Sequence, residues 1–380
     1  MEIYVVKPGD SVDSIAALYG IMPSDIIYIN QLLPPYPLAI GQALLLPPEA
    51  GAPVSYRPSL VSNGYAYTYI SQWVLEQTLP FLTSLSVFSY GFTTEGDLVF
   101  PPLDDNRLVQ TALQYGVKPI LTLTPLDASG QFNNNLITAV VRSQTATDNL
   151  LRQLLAVMEM KGYVGIDIDF EYIRAEDRDL FTAFVRAAAD YFQPRGYSVS
   201  VALAPKTSAN QRGLLYEGKD YGALGSIADY VLLMTYEWGY KYGPNMAVAP
   251  LNMVRRVVEY AVTEIPPDKI HLGIPNYGYD WPLPYVSGET AAVTIGNVEA
   301  VQIAIRNNAP ILFDETAQSP YFRYTQNNID HEVWFEDVRS IQRKCDLVKE
   351  FGLQGMGYWQ IMRWWRANWL LLEENFEILA

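Results

Sequence analysis

One short segment of the chain carries acidic side chains at alternate positions, where they could perform proton-transfer chemistry. The segment runs from Gly165 to Tyr172 and reads GIDIDFEY. Because side chains alternate across a β-strand, Asp167, Asp169 and Glu171 share one face, and Tyr172 and the apolar residues share the other. On a half-exposed antiparallel strand the acids would merely face water. In a parallel barrel the apolar set must meet the helical layer, so the three carboxyls project into the barrel.

Crowding inside a barrel gives these carboxyls a specific chemistry. Three carboxyls spaced about 7 Å apart or less along one strand cannot all stay ionised in a low-dielectric interior. We expect at least one to carry a proton near neutral pH, which a general acid requires. Glu171 lies nearest the C-terminal end of the strand, where barrel active sites are built. Asp169, one pleat deeper, is placed to share a proton or hydrogen bond with it.

Strand-like and helix-like runs alternate from about Arg57 onward, and they predict the scaffold that must hold the acids. The predicted strands are Leu60–Ala66, Ser84–Tyr90, Pro119–Leu123, Gly165–Tyr172, Ser198–Ala204, Tyr230–Tyr236, Ile270–Tyr277 and Gly355–Gln360. Examples of the predicted helices are Asn149–Lys161, Ala175–Tyr191 and Asn252–Glu264. Eight strands with helices between most of them indicate an α/β protein with a TIM (β/α)8 barrel rather than an open sheet.

The connection between the seventh and eighth predicted strands, residues 280–336, is too long for a plain loop. It contains one predicted helix, Asn297–Asn307, and several strand-like pieces. These pieces are Ala292–Ile295, Ile311–Phe313, Tyr321–Tyr324 and His331–Phe335. We therefore expect a small α+β insertion at the barrel mouth, where it would wall one side of a groove.

A stretch rich in Pro, Gly and Ala divides the chain into a small unit (residues 1–48), a linker (49–57) and the barrel domain (58–380). In the small unit, Asp10 or Ser11 can cap a helix from Val12 to Tyr19, which Gly20 ends. A second helix follows and runs to Asn30. Short apolar strands precede and follow the helices, so the predicted order is β-α-α-β.

Several motifs in residues 1–48 together resemble a LysM module at matching spacing. They are Tyr4–Val12, Ile15-Ala16, Tyr19-Gly20, Ile29-Asn30, Ile40–Gln42 and Leu45–Pro47. LysM modules bind glycans that contain N-acetylglucosamine, such as peptidoglycan and chitin. The resemblance implies a groove lined by Gly9, Asp10 and Ser11 on one side and Asn30, Gln31 and Leu32 on the other. Alternatively, Asp10 only caps a helix and Asn30 only turns the chain.

The acidic segment in turn resembles the Asp-x-x-Asp-x-Asp-x-Glu signature of family 18 glycoside hydrolases, with Val164 at the first acidic position. The likeness extends over most of residues 58–378. Residues 234–237 match the family's Met-x-Tyr-Asp with Glu in place of Asp, and residues 357–360 resemble its tryptophan floor. The resemblance implies catalytic roles for Asp167, Asp169, Glu171 and Tyr236. It implies substrate contacts for Met234, Glu237, Asn276, Tyr277 and Trp359.

The family resemblance also implies a mechanism in which the substrate supplies the nucleophile. Glu171 would protonate the glycosidic oxygen while the N-acetyl carbonyl oxygen attacks the anomeric carbon. Asp169 would hold the acetamide N–H, and Tyr236 would orient the acetamide oxygen. Glu171 would then activate water, with net retention of configuration. No cofactor or metal is implied.

Composition excludes several other classes of function. The chain has 380 residues, with 26 Lys and Arg against 41 Asp and Glu, so its formal charge is −15. This charge argues against nucleic-acid and anionic-membrane partners, which need a basic face. Cys345 is the sole cysteine and His271 and His331 the sole histidines, which excludes disulfides within the chain and multi-Cys or three-His metal sites. Aromatic residues reach 13% and suit a sugar-binding surface.

A LysM module joined to this kind of barrel resembles the cortical-fragment-lytic N-acetylglucosaminidases of endospore formers. We therefore expect peptidoglycan, particularly spore cortex, as substrate, and a location in the spore or cell wall. The N-terminus lacks the pattern of a signal peptide, in keeping with deposition from the mother cell. Two alternatives stay open: a chitinase, and a non-catalytic glycan-binding protein of the spore coat.

Overall fold

The computed structural model describes residues 1–48 and 56–380, and its N-terminal part is the expected β-α-α-β unit. In chain order this unit contains β1 (Glu2–Val5), α1 (Val12–Tyr19), α2 (Pro23–Ile29) and β2 (Ala43–Leu46). The two strands pair antiparallel. Ser11 caps α1, and Gly20 ends that helix in the left-handed conformation, as predicted. The predicted linker 49–57 lies outside the described residues except for its last two positions.

The second part of the chain begins with alternating strands and helices. From residue 59 to 168 they are β3 (Ser59–Tyr67), α3 (Gln72–Thr78), β4 (Ser84–Phe92), β5 (Leu98–Val99), α4 (Asn106–Gln114), β6 (Lys118–Leu123), α5 (Asn135–Val141), α6 (Gln144–Lys161) and β7 (Gly165–Ile168). From residue 178 to 275 they are α7 (Arg178–Phe192), β8 (Ser198–Leu203), α8 (Tyr221–Ile227), β9 (Tyr230–Leu233), α9 (Leu251–Glu264) and β10 (Ile270–Pro275).

An insertion follows β10 before the barrel is completed. Its elements are β11 (Gly278–Leu283), β12 (Val293–Ile295), α10 (Asn297–Arg306), β13 (Leu312–Asp314), β14 (Ser319–Gln326) and β15 (Ile329–Trp334). The chain then ends with α11 (Val338–Phe351), β16 (Gly355–Trp359), α12 (Arg366–Asn375) and β17 (Glu377–Ile378).

Eight of these strands close into a barrel in which every neighbouring pair is parallel. Their order is β3, β4, β6, β7, β8, β9, β10 and β16, and β16 pairs with β3 to complete the circle. The helices cover the outside, and one continuous apolar cluster joins them to the strands. The predicted TIM (β/α)8 barrel is confirmed. In such a barrel the C-terminal strand ends form one face, where functional side chains can converge.

The insertion is a five-stranded antiparallel sheet with one helix packed on it. It starts at Gly278, two residues before the predicted boundary, because β11 was not recognised in the sequence. Within β11, Tyr279 and Trp281 are buried and pack on the aromatic cluster beside the barrel mouth. The segment therefore belongs to the insertion sheet rather than to the seventh barrel strand.

The N-terminal unit is docked onto the rest of the protein. Ile29 and Leu45 of the unit are buried in the same apolar cluster as the barrel core. The Ile311 N–H of the insertion donates to the carbonyl oxygen of Ile40 at 2.8 Å. The guanidinium of Arg366, at the start of α12, lies 3.8 Å from the ring centre of Tyr28. Apolar, hydrogen-bond and cation–π contacts thus fix the unit against the insertion and the C-terminal helix.

In the part of the chain that the structure describes, no single helix is long and apolar enough to cross a bilayer. Helices α1 and α2, bent by 113° at their break, have the required length and apolar character only when taken together.

Candidate active site

The acidic segment lies at the C-terminal end of β7, on the functional face of the barrel. Regular pairing of β7 ends at Ile168, so the predicted strand Gly165–Tyr172 is four residues too long. The N–H of Asp169 still donates to the carbonyl oxygen of Leu123 on β6, at 3.0 Å. The extended course therefore continues far enough to stack the acids. Asp167 lies inside the barrel at 1% exposure, Asp169 lies above it at 8%, and Glu171 is half-buried at the mouth.

Asp167 is held from both sides of the barrel interior. The Tyr65 hydroxyl, on β3, donates to one of its carboxyl oxygens at 2.8 Å, and the Ser200 hydroxyl, on β8, donates to the other at 2.7 Å. Burial raises the pKa of Asp167, and these two hydrogen bonds oppose the rise. Asp167 is therefore held in place at the bottom of the acidic stack.

Asp169 has no such partners, and this distinguishes it chemically. Its Oδ1 atom is buried without a hydrogen-bond partner among the described residues. Burial raises the pKa of Asp169 well above its usual range, and the nearby charges of Glu171 and Asp167 raise it further. Burial also raises the pKa of Glu171, while the cation of Lys219 opposes that rise. The Asp169–Glu171 pair is thus biased toward holding a proton.

A cavity of about 490 Å³ opens directly above this pair. Asp169, Glu171, Met234, Tyr236, Glu237 and Trp359 are the sequence-predicted site residues that line it. The Trp359 ring is wedged among aromatic rings of the barrel interior, with its centre 4.9 Å from that of Phe88 and 5.8 Å from that of Tyr65. This edge-on packing fixes the half-buried indole at the cavity, and aromatic faces are surfaces on which a sugar ring can stack.

The residues after β9 form the wall beside the acids. The Thr235 hydroxyl donates to the carbonyl oxygen of Gly273 on the neighbouring strand β10 at 2.8 Å, which holds this segment in place. There is no room for a side chain at Gly273, because a Cβ there would lie 2.9 Å from the Tyr236 ring and 2.3 Å from the Leu233 carbonyl oxygen. The Tyr236 ring can therefore occupy its position only because residue 273 is glycine.

Glu237 has a backbone conformation that few non-glycine residues adopt, with φ at +66°. Its Oε1 atom accepts hydrogen bonds from the hydroxyls of Tyr277 and Tyr279, the latter at 2.9 Å. The longer side chain, where the family motif has Asp, is accommodated by these two phenols. They support a carboxylate that faces the cavity at a strained position, which is typical of functional sites.

Several predicted positions differ in the structure. Asn276 is 3% exposed and does not line the cavity, because its amide donates to the backbone carbonyl oxygens of Gln360 and Arg363 at 3.0 Å each. Asn276 therefore braces the loop after Trp359, and a sugar contact by its side chain stays a prediction. Tyr277, also buried, reaches the site only through Glu237.

Tyr172 and the insertion also differ from their predicted positions around the cavity. Tyr172 was predicted to point away from the acids, yet it is 42% exposed and lines the cavity. The alternation fails there because the strand has already ended. The insertion contributes no lining residue in the described part of the chain; it supports Glu237 from behind instead of walling the groove.

Sequence reasoning missed several residues of the site. The unrecognised lining includes Tyr67, Phe88, Phe132, Tyr216, Trp238 and Tyr240. Tyr67 is the last residue of strand β3, so its place at a strand end was the available signal. The others lie in loops or within a strand, where no short motif marks them. Sequence reasoning also missed Tyr65 and Ser200, which hold Asp167. The only signal for them was the alternation of side chains along β3 and β8, which would place them inside the barrel.

In the N-terminal unit, the two predicted glycan-binding loops have different surroundings. In the first loop Asp10 accepts hydrogen bonds from the Lys7 N–H and the Tyr4 hydroxyl at 2.7 Å each, and Gly9 and Ser11 adjoin it on the exposed side. In the second loop the Asn30 amide bonds to backbone atoms of Ile26 and Leu45. Glycan contacts by the first loop stay a prediction.

The rest of the second loop is committed to contacts within the protein. Leu32 is 6% exposed and belongs to the core of the unit. The Gln31 side chain accepts from the Arg366 N–H at 2.6 Å and donates to the Trp364 carbonyl oxygen at 3.4 Å. Gln31 thus serves the docking of the unit, and the loop offers a glycan less free polar surface than the sequence indicated.

A closed (β/α)8 barrel with carboxyls and an aromatic floor at its C-terminal face has the architecture of a glycoside hydrolase. The sequence model of glycosyl hydrolases family 18 matches residues 69–363, and that of the LysM domain matches residues 4–47. The chain therefore belongs to glycosyl hydrolase family 18 and carries an N-terminal LysM domain.

Relatives with full-length similarity include proteins of Bacillus species. The chain is 40% identical over 429 aligned positions to the cortical fragment-lytic enzyme of Bacillus subtilis, covering 100% of this chain and 99% of that one. The crystal structure of the Bacillus cereus spore cortex-lytic enzyme SleL has a TM-score of 0.94 and 34% identity, covering 100% of this chain and 98% of that one. A chitinase from Chromobacterium violaceum, with a TM-score of 0.77 and 23% identity, covers 83% and 98% and shares the fold.

Proposed function

We propose that this protein hydrolyses β-linked N-acetylglucosamine in spore-cortex peptidoglycan, with retention of configuration and with the substrate's own acetamide as nucleophile. The observation that carries the proposal is the Asp169–Glu171 pair, buried enough to hold a proton and open to a cavity that Tyr236 also lines. Such a pair supplies one proton donor at the barrel mouth.

In the first half of the reaction Glu171 is the general acid. It protonates the glycosidic oxygen as the bond to the anomeric carbon breaks. The acetamide carbonyl oxygen of the same sugar attacks that carbon from the opposite face and forms a cyclic oxazolinium intermediate. A second carboxylate nucleophile is unnecessary in this scheme, in agreement with family 18 as an exception to the two-carboxylate rule.

Asp169 and Tyr236 hold the acetamide while it reacts. The carboxyl group of Asp169 lines the cavity and can accept a hydrogen bond from the acetamide N–H and stabilise the developing positive charge. The Tyr236 hydroxyl donates to the acetamide oxygen and orients it toward the anomeric carbon. Asp167, fixed by its two hydroxyl partners, lies below Asp169 and raises the pKa of Asp169 by its like charge.

In the second half of the reaction Glu171, now ionised, takes a proton from a water molecule. The oxygen of that water attacks the anomeric carbon, which opens the oxazolinium ring and gives a product with the anomeric configuration of the substrate. Trp359 forms the floor beneath the reacting sugar. The two displacements at the anomeric carbon give net retention.

The choice of cortex peptidoglycan over chitin is supported by the whole-length similarity to cortical fragment-lytic enzymes and by the LysM domain. The similarity to chitinases covers the barrel fold at low identity. An acidic protein gains no long-range attraction to an anionic wall, so binding must come from stacking and hydrogen bonds. We infer a location at the spore or the cell wall from the same relatives.

The test is substitution of the proposed general acid, Glu171→Gln. We expect kcat on soluble cortex fragments to fall at least about 100-fold, because the amide cannot supply the proton, while binding of the fragments persists. Glu159→Gln, on the exposed side of helix α6, is the matched control and should retain full activity.

Product analysis separates the candidate substrates. Purified wild-type protein should release β-configured N-acetylglucosamine ends from cortex fragments faster than from chitin oligomers. Faster cleavage of chitin would identify a chitinase. A wild-type protein that binds both polymers and cleaves neither would be a non-catalytic glycan-binding protein, and the proposed function would be abandoned.

A further inference from the structure

A fully buried lysine, Lys219, lies next to the catalytic pair and takes no part in the proposed reaction steps. Its side chain is 0% exposed, and it immediately precedes Asp220, the N-cap of helix α8. Its ammonium group donates to the carbonyl oxygen of Ala202 at a long 3.4 Å. In the described ranges it forms no ion pair. A buried ammonium with one weak hydrogen bond is costly unless nearby negative charge compensates it.

Strand register places that ammonium group behind the acids. Val201 on β8 lies opposite Ile168 on β7, so Ala202 is level with Asp169 at the barrel mouth. The adjacent Gly218 packs against Ile173, two residues beyond Glu171, where a Cβ would come within 2.5 Å of the Ile173 side chain. Lys219 is thus held between β8 and the segment that carries the acids, and it does not line the cavity.

We propose, on the basis of the function proposed above, that Lys219 is a positioning residue whose buried positive charge sets the pH range in which the Asp169–Glu171 pair can work. Lys219 faces the carboxylates of Asp169 and Glu171. The other charged and titratable groups around that pair are Asp167, Glu237 and the phenols of Tyr65, Tyr67, Tyr172 and Tyr236. Without a cation nearby, two crowded carboxyls would retain protons to a higher pH, and Asp169 would be neutral when its charge is needed.

The mutual electrostatic effects of Lys219, Asp169 and Glu171 agree with this geometry. The charge of Lys219 lowers the pKa of both Asp169 and Glu171 against the effect of burial. Burial lowers the pKa of Lys219 itself to about 8, and the two carboxylates oppose that change. Lys219 therefore still carries its charge at neutral pH.

The experiment compares pH profiles of kcat/KM on soluble cortex fragments for three substitutions. Lys219→Met removes the charge, and Lys219→Gln removes it but keeps a donor for the Ala202 carbonyl oxygen. For both variants we expect the acidic and alkaline limbs of the kcat/KM profile to move to higher pH, because the carboxyls lose a nearby positive charge. The expected move is about one pH unit, the size of a screened charge–charge interaction. Lys219→Arg keeps the charge and should return the limbs to their wild-type positions.

A neighbouring buried lysine provides the control. Lys206 donates to the Lys219 carbonyl oxygen at 2.9 Å, so Lys206→Met disturbs the same loop without removing the charge behind the acids. We expect a lower melting temperature and unchanged limbs. If Lys219→Met and Lys219→Gln lower kcat or the melting temperature but leave both limbs in place, Lys219 is structural and the proposal fails.

A reciprocal measurement needs no change at Lys219. If the charges interact, Asp169→Asn must lower the pKa of Lys219, which NMR of labelled lysine side chains can follow. An unchanged Lys219 pKa would overturn the proposal. A wild-type protein without glycosidase activity would instead refute the proposed function, and this NMR result would still decide whether the charges are coupled.

Discussion

Asp169, for which we propose a role in the reaction, shows how a buried acid can weaken the fold. Its pKa is raised in the folded state by burial and by Glu171 and Asp167, while in the unfolded chain it is near 4. Between these two pKa values the unfolded state binds fewer protons than the folded state, so the contribution of Asp169 to stability is fully present below about pH 4 and is lost as pH rises through its folded-state pKa. A charged Asp169 therefore lowers the stability of the folded state, a cost that the proposed role in the reaction would explain.

From this we predict that Asp169→Asn stabilises the protein at pH 7 by about 1–3 kcal/mol while activity collapses, because the amide removes a buried charge. Urea unfolding at pH 4.5 and pH 7 measures the effect. The advantage over wild type should grow with pH. Asp190→Asn, at an exposed position on α7, should show none. An advantage that shrinks toward pH 7 would contradict the assignment of a raised pKa.

At the scale of strands and helices, the site depends on glycines that let neighbouring segments approach. Gly273 on β10 leaves room for the Tyr236 ring, which belongs to the segment after β9. We predict that Gly273→Ala lowers kcat on soluble fragments by about 10-fold or more, since a misplaced catalytic group costs at least that much. Circular dichroism should show the barrel still folded.

Gly222→Ala is the matched control for that change. Gly222 lies in helix α8, and a Cβ there would lie 3.3 Å from the end of the Glu264 side chain and at the ordinary contact distance of 3.8 Å from Asp220 Oδ1 and the Glu264 carbonyl oxygen. Alanine is also the better helix former, so this variant should keep its activity and be neutral or slightly more stable. Equal losses of activity in the two variants would mean that Tyr236 is not positioned by Gly273.

The regular elements of the barrel were predictable from sequence because strand-like runs alternate with helix-like runs, and several of the strands, such as β6 and β10, are apolar almost throughout. The predicted ends of β3 and β8 lie within a residue of those in the structure. The acids and Tyr236 were predictable because short motifs with fixed spacing carry them. Both signals are local, and a single sequence expresses them directly.

What could not be predicted depends on contacts between distant segments. The burial of Asn276 follows from the course of the loop at residues 360–363, more than 80 positions away. Strand β7 ends at Ile168 because its neighbours stop pairing there, and nothing in the sequence alternation after Ile168 marks that end. Lys219 gains its importance from a fold that brings it behind acids some 50 residues earlier in the chain.

At the scale of the whole molecule, the LysM domain is not a freely tethered unit. A flexible tether would raise local enzyme concentration without fixing direction. Here Ile29 and Leu45 are buried against the barrel, and Gln31 and Arg366 join the two parts by hydrogen bonds. A docked domain instead holds any bound glycan at a fixed distance and angle from the acids, which matters most on an insoluble polymer.

This view predicts a selective defect when the docking is disturbed. A Cβ on Gly41 would lie 1.9 Å from the Ile311 carbonyl oxygen, so Gly41→Ala must push the LysM domain off the insertion. We expect hydrolysis of insoluble cortex to fall several-fold while kcat/KM on soluble fragments stays within twofold of wild type. The measurement is the rate on insoluble cortex divided by the rate on soluble fragments, which should be several-fold lower for Gly41→Ala than for the wild-type protein.

Gly20→Ala separates the clash from the backbone effect. Gly20 also has a positive φ, +64° against +81° for Gly41, but a Cβ on Gly20 would meet no atom within 4 Å among the described residues. Both variants therefore share the left-handed strain of about 1–2 kcal/mol. Only Gly41→Ala adds the collision with the insertion. Equal loss on both substrates in Gly41→Ala, or the same insoluble-substrate defect in Gly20→Ala, would show that the docked arrangement does not direct the enzyme on its polymer.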